Sequence, residues 1–234
     1  MGHLRQRIDG TAWTYHGQDQ GEFVVHSRLA PPSLAWGVNL TYRYLVYGSG
    51  MIRLCVDAVP EGDGPTLWPR FGIVIRLPQS LSQLTWQGRG PGESYPDSFR
   101  GQRLGVYHAH VDDLTTPYIV PQENGSHEDT DWVIAANGRG VGLLALADGH
   151  LAFSAQRFSR QALEMAKNHH DLIPEDRVTL YLDWCQQGLG RATGGPDGLP
   201  QHPVQAGPMH GSIWLQAVDS NVLSPHHARR IRRP

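Results

Sequence analysis

The chain has 234 residues, enough to bury a substantial hydrophobic core as one large domain or two small ones. Hydrophobic residues make up 39% of it and charged residues 18%, a balance typical of globular proteins and not of disordered ones. The formal net charge of -2 offers no electrostatic basis for binding nucleic acid or an anionic membrane.

The N-terminal sequence and the cysteines both indicate an intracellular protein. Residues 1–9 are interpreted as an extension ahead of a folded domain, and they contain no apolar region typical of a signal peptide. No apolar stretch is long enough to span a bilayer. Cys55 and Cys185 lie far apart and fit no metal-binding spacing, so we expect two buried, reduced thiols. The expected compartment is the cytoplasm.

Alternation of apolar and polar residues is the dominant pattern along the chain. It predicts half-buried antiparallel strands, because successive side chains of a strand point to opposite faces. In chain order, the apolar faces of the clearest strands are Ile52, Leu54, Val56 and Ala58; Phe71, Ile73, Ile75 and Leu77; Val178, Leu180 and Leu182; and Ile213, Leu215 and Ala217. The pattern therefore predicts an all-β domain, most simply a large sandwich.

Turn signals separate these strands. The sequence YGSGM before Ile52 predicts a turn between two strands, and Asp148-Gly149 predicts a tight hairpin. The only notable helix is predicted over Ser159–His169, with Ser159 as its N-cap. The Gly- and Pro-rich segment Gly190–Pro208 is interpreted as a long loop inside one domain spanning residues 10–223. Residues 224–234 form a predicted basic tail.

Several carboxylates cluster in the predicted loops. Glycoside hydrolysis needs two of them on either side of the scissile bond, one as acid and one as nucleophile or base. The candidates are Glu93, Asp97, Asp112, Asp113, Glu128, Asp129 and Asp131. None has a sequence context that implies a raised pKa, so we interpret them as loop carboxylates and predict no catalytic residue. Asp97 and Asp113 would accept hydrogen bonds from backbone N–H groups in turns.

Histidines and aromatic residues offer weaker candidates. His108 and His110 share one face of a strand, as in some metal sites, but no third ligand accompanies them. We therefore predict neither a metal site nor a cofactor. A sugar site would need aromatic platforms, for which Trp86, Tyr95, Tyr118, Trp132 and Trp184 are available. Such residues more commonly pack in a core or at its rim, and we interpret them so.

An ordered series of motifs goes beyond these patterns. It comprises Pro69-Arg70-Phe71-Gly72, Leu77-Pro78, the run WQGRGPGESYPD from Trp86 to Asp97, Pro117-Tyr118, Pro121–Gly125, FSAQRFSRQALEMA, His170–Leu172 and LDWCQQGLG. The series resembles the C-terminal domain of bacterial β-galactosidases of glycoside hydrolase family 2, which forms the small chain in two-subunit members. The resemblance extends from about Leu40 to Pro196.

The resemblance implies both a fold and a function. The fold is the large antiparallel supersandwich shared with galactose mutarotases. The function is that of a C-terminal domain or small subunit of an enzyme that hydrolyses terminal β-galactosides such as lactose. In that family the catalytic glutamates belong to a separate TIM barrel. This chain would therefore complete the pocket and the assembly, share the galactoside with a barrel-containing chain, form an oligomer, and be inactive alone.

The sequence also departs from the family pattern. The first strands of the family domain have no counterpart before Gly10, so the fold is expected to be N-terminally shortened. Ser94 replaces an asparagine, and His127 stands where an arginine is usual. The loop at the edge of the substrate pocket corresponds to Thr193, Gly194 and Asp197, our predicted substrate-binding residues. Gly194 stands where the family usually has a cysteine or tryptophan that reaches the pocket.

A second interpretation is a free-standing carbohydrate-binding or mutarotase-like module. Mutarotation needs a general acid and a general base facing one sugar. His108, His110 or His170 with a carboxylate could supply them, although no spacing supports a particular pair. The neighbouring reading frame separates the two interpretations, because a barrel-encoding neighbour favours the β-galactosidase component.

Overall fold

The computed structural model describes residues 4–190 and 203–219. These residues form fourteen strands: β1 (Arg5–Tyr15), β2 (Gln20–Ala30), β3 (Gly37–Tyr47), β4 (Ile52–Glu61), β5 (Leu67–Trp68), β6 (Arg70–Pro78), β7 (Gln83–Gly90), β8 (Arg103–His110), β9 (Trp132–Ala136), β10 (Val141–Ala147), β11 (Ala152–Gln156), β12 (Arg177–Gln186), β13 (Val204–Gln205) and β14 (Met209–Asp219). One α-helix, α1 (Arg160–Met165), and 3₁₀ helices at Phe99–Gly101, Val111–Leu114 and His169–Asp171 complete the described structure. The predicted all-β fold is confirmed.

The strands form two main sheets of unequal width. The larger has nine strands in the order β1-β2-β3-β4-β14-β10-β9-β7-β8, and the smaller has three in the order β11-β12-β6. A third, two-stranded sheet pairs β13 with β5. All the pairings are antiparallel, as the alternating pattern predicts.

The main hydrophobic core contains apolar side chains from both sheets. Leu54, Val56 and Ala58 of β4 are buried in the same cluster as Leu180 and Leu182 of β12. Each set comes from alternate positions of its strand, so the predicted apolar faces of these strands are confirmed. The packed layers therefore form a sandwich.

The smaller sheet ends at β6, whose outer edge has no strand partner among the described residues. A cavity of about 250 Å³ lies along this strand, between it and the inner face of the larger sheet. Its apolar lining includes Leu29, Trp36, Val38, Leu40, Tyr42, Val56, Ala58, Trp68, Phe71 and Val74. We call this cavity the β6 trough.

The larger sheet is largely exposed to solvent at its edge strand β1. All residues of β1 are exposed except Gly10, which is partly buried. Trp13 contacts Tyr15 and Phe23, with ring centroids 5.5 and 6.2 Å apart, and Phe23 contacts Tyr44 at 6.2 Å. Strand β1 is thus held by backbone hydrogen bonds to β2 and by contacts within a row of aromatic rings. It lies outside the main hydrophobic core.

The turn at Asp148-Gly149 is not the predicted hairpin. It follows β10, whose two edges are already paired with β9 and β14, so no edge remains for the next strand. The chain instead crosses to the smaller sheet, where β11 pairs with β12. The Asp148 carboxylate accepts hydrogen bonds from Arg53 Nη2 (2.6 Å) and Ser212 Oγ (2.9 Å). The turn predicted between β3 and β4 is confirmed.

The predicted helix over Ser159–His169 is too long. Ser159 is its N-cap as expected, because its Oγ accepts a hydrogen bond from Ala162 N at 3.1 Å. The helix ends at Met165, after which the Asp171 carboxylate accepts hydrogen bonds from Lys167 N (2.9 Å) and Asn168 N (3.0 Å). A continuing helix would need those two N–H groups for itself.

The remaining boundaries predicted from the sequence can be compared with the structure only where it describes the residues. Strand β1 begins at Arg5, inside the predicted extension 1–9, and continues past residue 10. Strand β13 lies within the predicted loop Gly190–Pro208, and the tail 224–234 lies outside the described residues. Cys55 and Cys185 are free thiols, the first buried as predicted and the second only partly buried.

Candidate functional site

The motif loop that contains Glu93 and Ser94 is hydrogen-bonded to the motif loop that ends at Gly125. Ser94 N donates a hydrogen bond to Ser126 O at 2.7 Å, and Ser94 Oγ accepts one from Glu128 N at 2.8 Å. Glu93 accepts hydrogen bonds from Gly125 N (2.8 Å) and from the Tyr118 hydroxyl. Partial burial and this contact with Glu93 raise the pKa of Tyr118 to about 12. The two motif loops are therefore joined by hydrogen bonds into one rigid unit.

Asp97 anchors a third motif to this unit. Its carboxylate accepts a hydrogen bond from Gly190 N at 2.8 Å, across 93 residues of sequence. The carboxylate thus satisfies a backbone N–H as expected, but the donor belongs to a distant segment and not to a local turn. Asp97 fixes the described end of the segment that precedes Thr193.

Two arginines and two carboxylates form a compact ionic cluster beside the β6 trough. Arg70 contacts Glu123 Oε1 at 2.8 Å through Nη2 and Asp183 Oδ2 at 2.7 Å through Nη1. Arg160 Nε lies 3.3 Å from Glu123 Oε2, and its guanidinium lies 3.8 Å from the ring centroid of Tyr181. We call these four charged residues the Arg70 cluster.

Burial controls the electrostatics of the Arg70 cluster. It raises the pKa of Asp183, whose side chain is only 4% exposed, although both arginines oppose that shift. Burial and the neighbouring Arg70 lower the pKa of Arg160. For Arg70 burial acts to lower the pKa, but Asp183 and Glu123 outweigh it and raise the value. Each cation of the cluster thus faces a carboxylate, while burial opposes the charged forms of Asp183 and Arg160.

A larger cleft opens beside Glu128, with a volume of about 600 Å³. The Glu128 carboxylate is buried and accepts hydrogen bonds from Gln186 Nε2 (2.7 Å) and His150 Nε2 (3.2 Å). The bond to Glu128 raises the pKa of His150. Apolar and aromatic side chains form much of the wall, namely Pro96, Phe99, Pro203, Val204 and Met209. We call it the Glu128 cleft.

His127 occupies a different environment from its neighbour Glu128. Its ring stacks on Phe153, with centroids 5.0 Å apart, and lies 4.6 Å from the centroid of Trp86. Nδ1 donates a hydrogen bond to Arg89 O at 3.1 Å, since a carbonyl can only accept. Burial lowers the pKa of His127 to about 4. The residue is a neutral core histidine.

Comparison with known proteins identifies the family. The family model described as "Beta galactosidase small chain" matches residues 3–215. The chain belongs to this family. A β-galactosidase of Vibrio cholerae serotype O1 is 37% identical over 156 residues, which cover 67% of this chain and 14% of that protein. A β-galactosidase of an Arthrobacter species is 33% identical over 186 residues, covering 77% and 18%. The chain thus spans less than a fifth of the length of these relatives.

Solved structures with low sequence identity were also found. A GH36 α-galactosidase from Geobacillus stearothermophilus gives a TM-score of 0.48 at 8% identity, covering 92% of this chain and 28% of that one. A galactose mutarotase related enzyme from Lactobacillus acidophilus gives a TM-score of 0.40 at 7% identity, covering 89% and 71%.

The predicted pocket-edge residues Thr193, Gly194 and Asp197 lie outside the described residues, so their role stays a prediction. The described residues on either side are Gly190, held by Asp97, and Pro203, which lines the Glu128 cleft. The cleft therefore includes the first described residue after this segment.

The other sequence candidates have structural roles. Trp86, Tyr95 and Trp132 are buried in the protein, and Trp184 packs on Phe71 with centroids 5.1 Å apart. Their interpretation as core and rim residues agrees with these positions.

The predicted histidine candidates make separate contacts. His108 Nδ1 lies 2.8 Å from Thr85 Oγ1, whereas His110 contacts Asp112 at 3.4 Å. His170 lies in the 3₁₀ helix His169–Asp171. Across residues 4–190 and 203–219, no three histidine, cysteine or acidic side chains are grouped so that they could hold a metal ion.

The sequence alone predicted neither polar grouping, the Arg70 cluster nor the groups of the Glu128 cleft. All four residues of the Arg70 cluster lie in motifs of the series, Arg160 in FSAQRFSRQALEMA and Asp183 in LDWCQQGLG, but the motifs do not show that these side chains meet. The contact between His150 and Glu128 had no sequence signal at all. No helix in the part of the chain that the structure describes is both long and apolar enough to cross a membrane.

Proposed function

We propose that this chain is a non-catalytic component of a β-galactosidase, either its C-terminal domain or a small subunit. In this role it completes the galactoside pocket and the assembly, while a barrel-containing partner supplies the catalytic glutamates. The observation that carries the proposal is the match to the small-chain family over residues 3–215. The small share of each relative that the chain covers also favours a larger partner.

The environments of the carboxylates support a non-catalytic role. A retaining glycosidase needs two carboxyl groups about 5–5.5 Å apart across the scissile bond, one of them with a raised pKa. Glu93 is held by Tyr118 and Gly125, and Glu123 by the two arginines of the Arg70 cluster. Asp183 has a raised pKa, but it is buried against Arg70. These contacts favour structural roles for all three carboxylates.

The β6 trough provides a surface for the partner. It combines an apolar lining with a strand edge whose backbone groups lack a ladder partner in the described residues. An extended segment of the partner could add to β6 and cover the apolar side chains, as in strand addition. An uncovered edge of this kind otherwise favours self-association. The trough therefore supports the proposed assembly, which we place in the cytoplasm.

The purified 234-residue chain is expected to show no turnover of a chromogenic β-galactoside, because in the proposed role the acid and the nucleophile come from a barrel outside these residues. Activity should appear when the chain is mixed with the Vibrio cholerae relative shortened by the region that this chain matches. That shortened protein alone serves as the control for residual activity.

Turnover by the pure chain that disappears in Glu93→Gln, Glu123→Gln or Asp97→Asn would overturn the proposal. Activity in neither arm would favour a free-standing carbohydrate-binding or mutarotase-like module. A reading frame next to the gene that encodes a barrel would favour the β-galactosidase component.

A charge placed at the β6 trough should weaken assembly with the shortened relative. Val74 is 54% exposed and lines the trough, so Val74→Glu is expected to reduce association about tenfold or more, because its carboxylate loses water in the complex. Val141→Glu is the matched control, since Val141 is 51% exposed at the start of β10 and does not line the trough. Analytical ultracentrifugation measures both; equal weakening by the two variants would exclude the trough as the interface.

A further inference from the structure

The Glu128 cleft is lined by buried polar groups, one of which has an acceptor without a hydrogen-bond donor among the described residues. Gln186 is 4% exposed, and its Nε2 donates hydrogen bonds to Ser126 Oγ (2.5 Å) and Glu128 Oε1 (2.7 Å). Its Oε1 is buried and has no hydrogen-bond partner among the described residues. A buried acceptor without a donor is costly, so such groups commonly mark a position for a ligand or water. Glu128 itself is only 3% exposed.

The charges around the cleft nearly balance. The Asp129 carboxylate is paired with Arg89 Nε at 2.6 Å, and the Glu128 carboxylate with His150 Nε2 at 3.2 Å. The hydrogen bond to Glu128 raises the pKa of His150, which favours its protonated form. The cleft therefore has no strong preference for an anion or a cation. It offers hydrogen-bond acceptors on Glu128 and Gln186 and a donor on His150, which suits a neutral ligand with several hydroxyl groups.

The walls and the size of the cleft narrow the ligand class further. Phe99, Val204 and Met209 give the lining apolar surface, and Glu128 and His150 give it polar groups. A pyranose has the matching distribution, with C–H groups on its faces and hydroxyl groups at its rim. The volume of about 600 Å³ lies in the range typical of small-molecule sites.

We propose that the Glu128 cleft binds a neutral pyranose sugar within this chain, without any contribution from a catalytic partner. One hydroxyl of the sugar donates to the Glu128 carboxylate, and a neighbouring hydroxyl accepts from His150 Nδ1 of the protonated ring, because Nε2 already donates to Glu128. All the groups named for binding belong to this chain, so the site does not depend on the chain acting in a β-galactosidase.

Saturation-transfer NMR on the purified chain tests the site, with methyl β-D-galactopyranoside and methyl α-D-glucopyranoside as probes. We expect transfer to the sugar protons and a dissociation constant in the millimolar range. His150→Ala and Glu128→Gln should each weaken binding about tenfold, the loss typical of a charged hydrogen-bond partner. His150 has a side chain that is 48% exposed, so its replacement should leave the fold intact even if Glu128→Gln does not.

The control variant is His108→Ala, which removes an exposed histidine of β8 that contacts Thr85 and does not line the cleft. It should bind both sugars as the unmodified chain does. Absence of transfer at tens of millimolar sugar, or equal affinity in His150→Ala and the unmodified chain, would overturn the proposal. Tenfold tighter binding of galactonate or galactosamine than of the methyl galactoside would overturn the neutral-ligand assignment. Since no partner chain is present, these outcomes are independent of the β-galactosidase assay.

Discussion

Replacing Arg70 with methionine should lower the free energy of unfolding by about 3–5 kcal/mol, the range for breaking a buried ion pair. Arg70 is the closest cation to Asp183, at 2.7 Å, and the Asp183 side chain is only 4% exposed. Methionine approximates the arginine stem but leaves this carboxylate without its main partner. Arg160 remains 3.9 Å from Asp183 and 3.3 Å from Glu123, so the lower part of the range is expected. Urea unfolding measures the change.

A surface pair provides the matched control. Arg28 contacts Glu61 at 3.2 Å, but the Glu61 side chain is 58% exposed, so Arg28→Met should cost no more than about 1 kcal/mol. The double variant Arg70→Met/Asp183→Asn should recover stability relative to Arg70→Met, because it removes the unpaired buried charge. Equal losses for Arg70→Met and Arg28→Met would show that water reaches Asp183 and that the Arg70 cluster contributes little.

His127 should make the protein less stable in acid. Its pKa is about 4 in the folded protein against 6.5 for the unperturbed group, because burial disfavours the charged ring. Between these values the unfolded chain binds a proton that the folded chain does not. The stability contributed by neutral His127 is therefore complete above pH 6.5 and is lost as the pH falls toward 4, a loss of about 3 kcal/mol in total.

The variant His127→Phe should remove this part of the acid sensitivity. Phenylalanine keeps the ring between Trp86 and Phe153, and Arg89 O still accepts a hydrogen bond from Trp86 Nε1 at 3.0 Å. Unfolding free energies measured between about pH 4 and pH 7 should fall less steeply for His127→Phe than for the unmodified chain. His108→Gln, at an exposed position, should retain the original slope. An unchanged slope in His127→Phe would mean that His127 is protonated normally in the folded protein.

The faces of the strands could be predicted from the sequence, but their partners could not. The alternation at Leu54, Val56 and Ala58 follows directly from the strand period of two, and these residues are buried in the core. The same local pattern contains no information on which strands pair. Asp148-Gly149 has the sequence of a hairpin turn, yet β10 is flanked by β9 and β14 and the chain leaves the sheet. Long-range pairing overrides the turn signal.

The contacts of the polar side chains could be predicted from the sequence even less than the pairing of the strands. The motif series contains all four residues of the Arg70 cluster, but it does not show their contacts, and the contact between Arg70 and Asp183 joins residues 113 positions apart. The family-typical arginine is replaced by His127, which the sequence identifies as a departure without showing that the ring is buried. His150 has no motif context, and only the fold brings it to Glu128. A sequence motif can therefore indicate that an individual residue has a role. The site itself depends on which side chains the fold brings into contact, and the sequence does not show those contacts.

The exposed strand β1 has a consequence for how the larger sheet opens. One continuous hydrogen-bonded ladder joins β1 to β9, but every residue of β9 is buried and nearly every residue of β1 is exposed. Separation of β1 from β2 therefore sacrifices backbone hydrogen bonds and aromatic contacts, while the main core stays closed. The backbone amides of β1 exchange with solvent through this small local fluctuation, whereas those of β9 exchange only when the whole sandwich unfolds. Within one sheet, the edge strand β1 therefore opens by local fluctuation, whereas the central strand β9 opens only with cooperative unfolding of the domain.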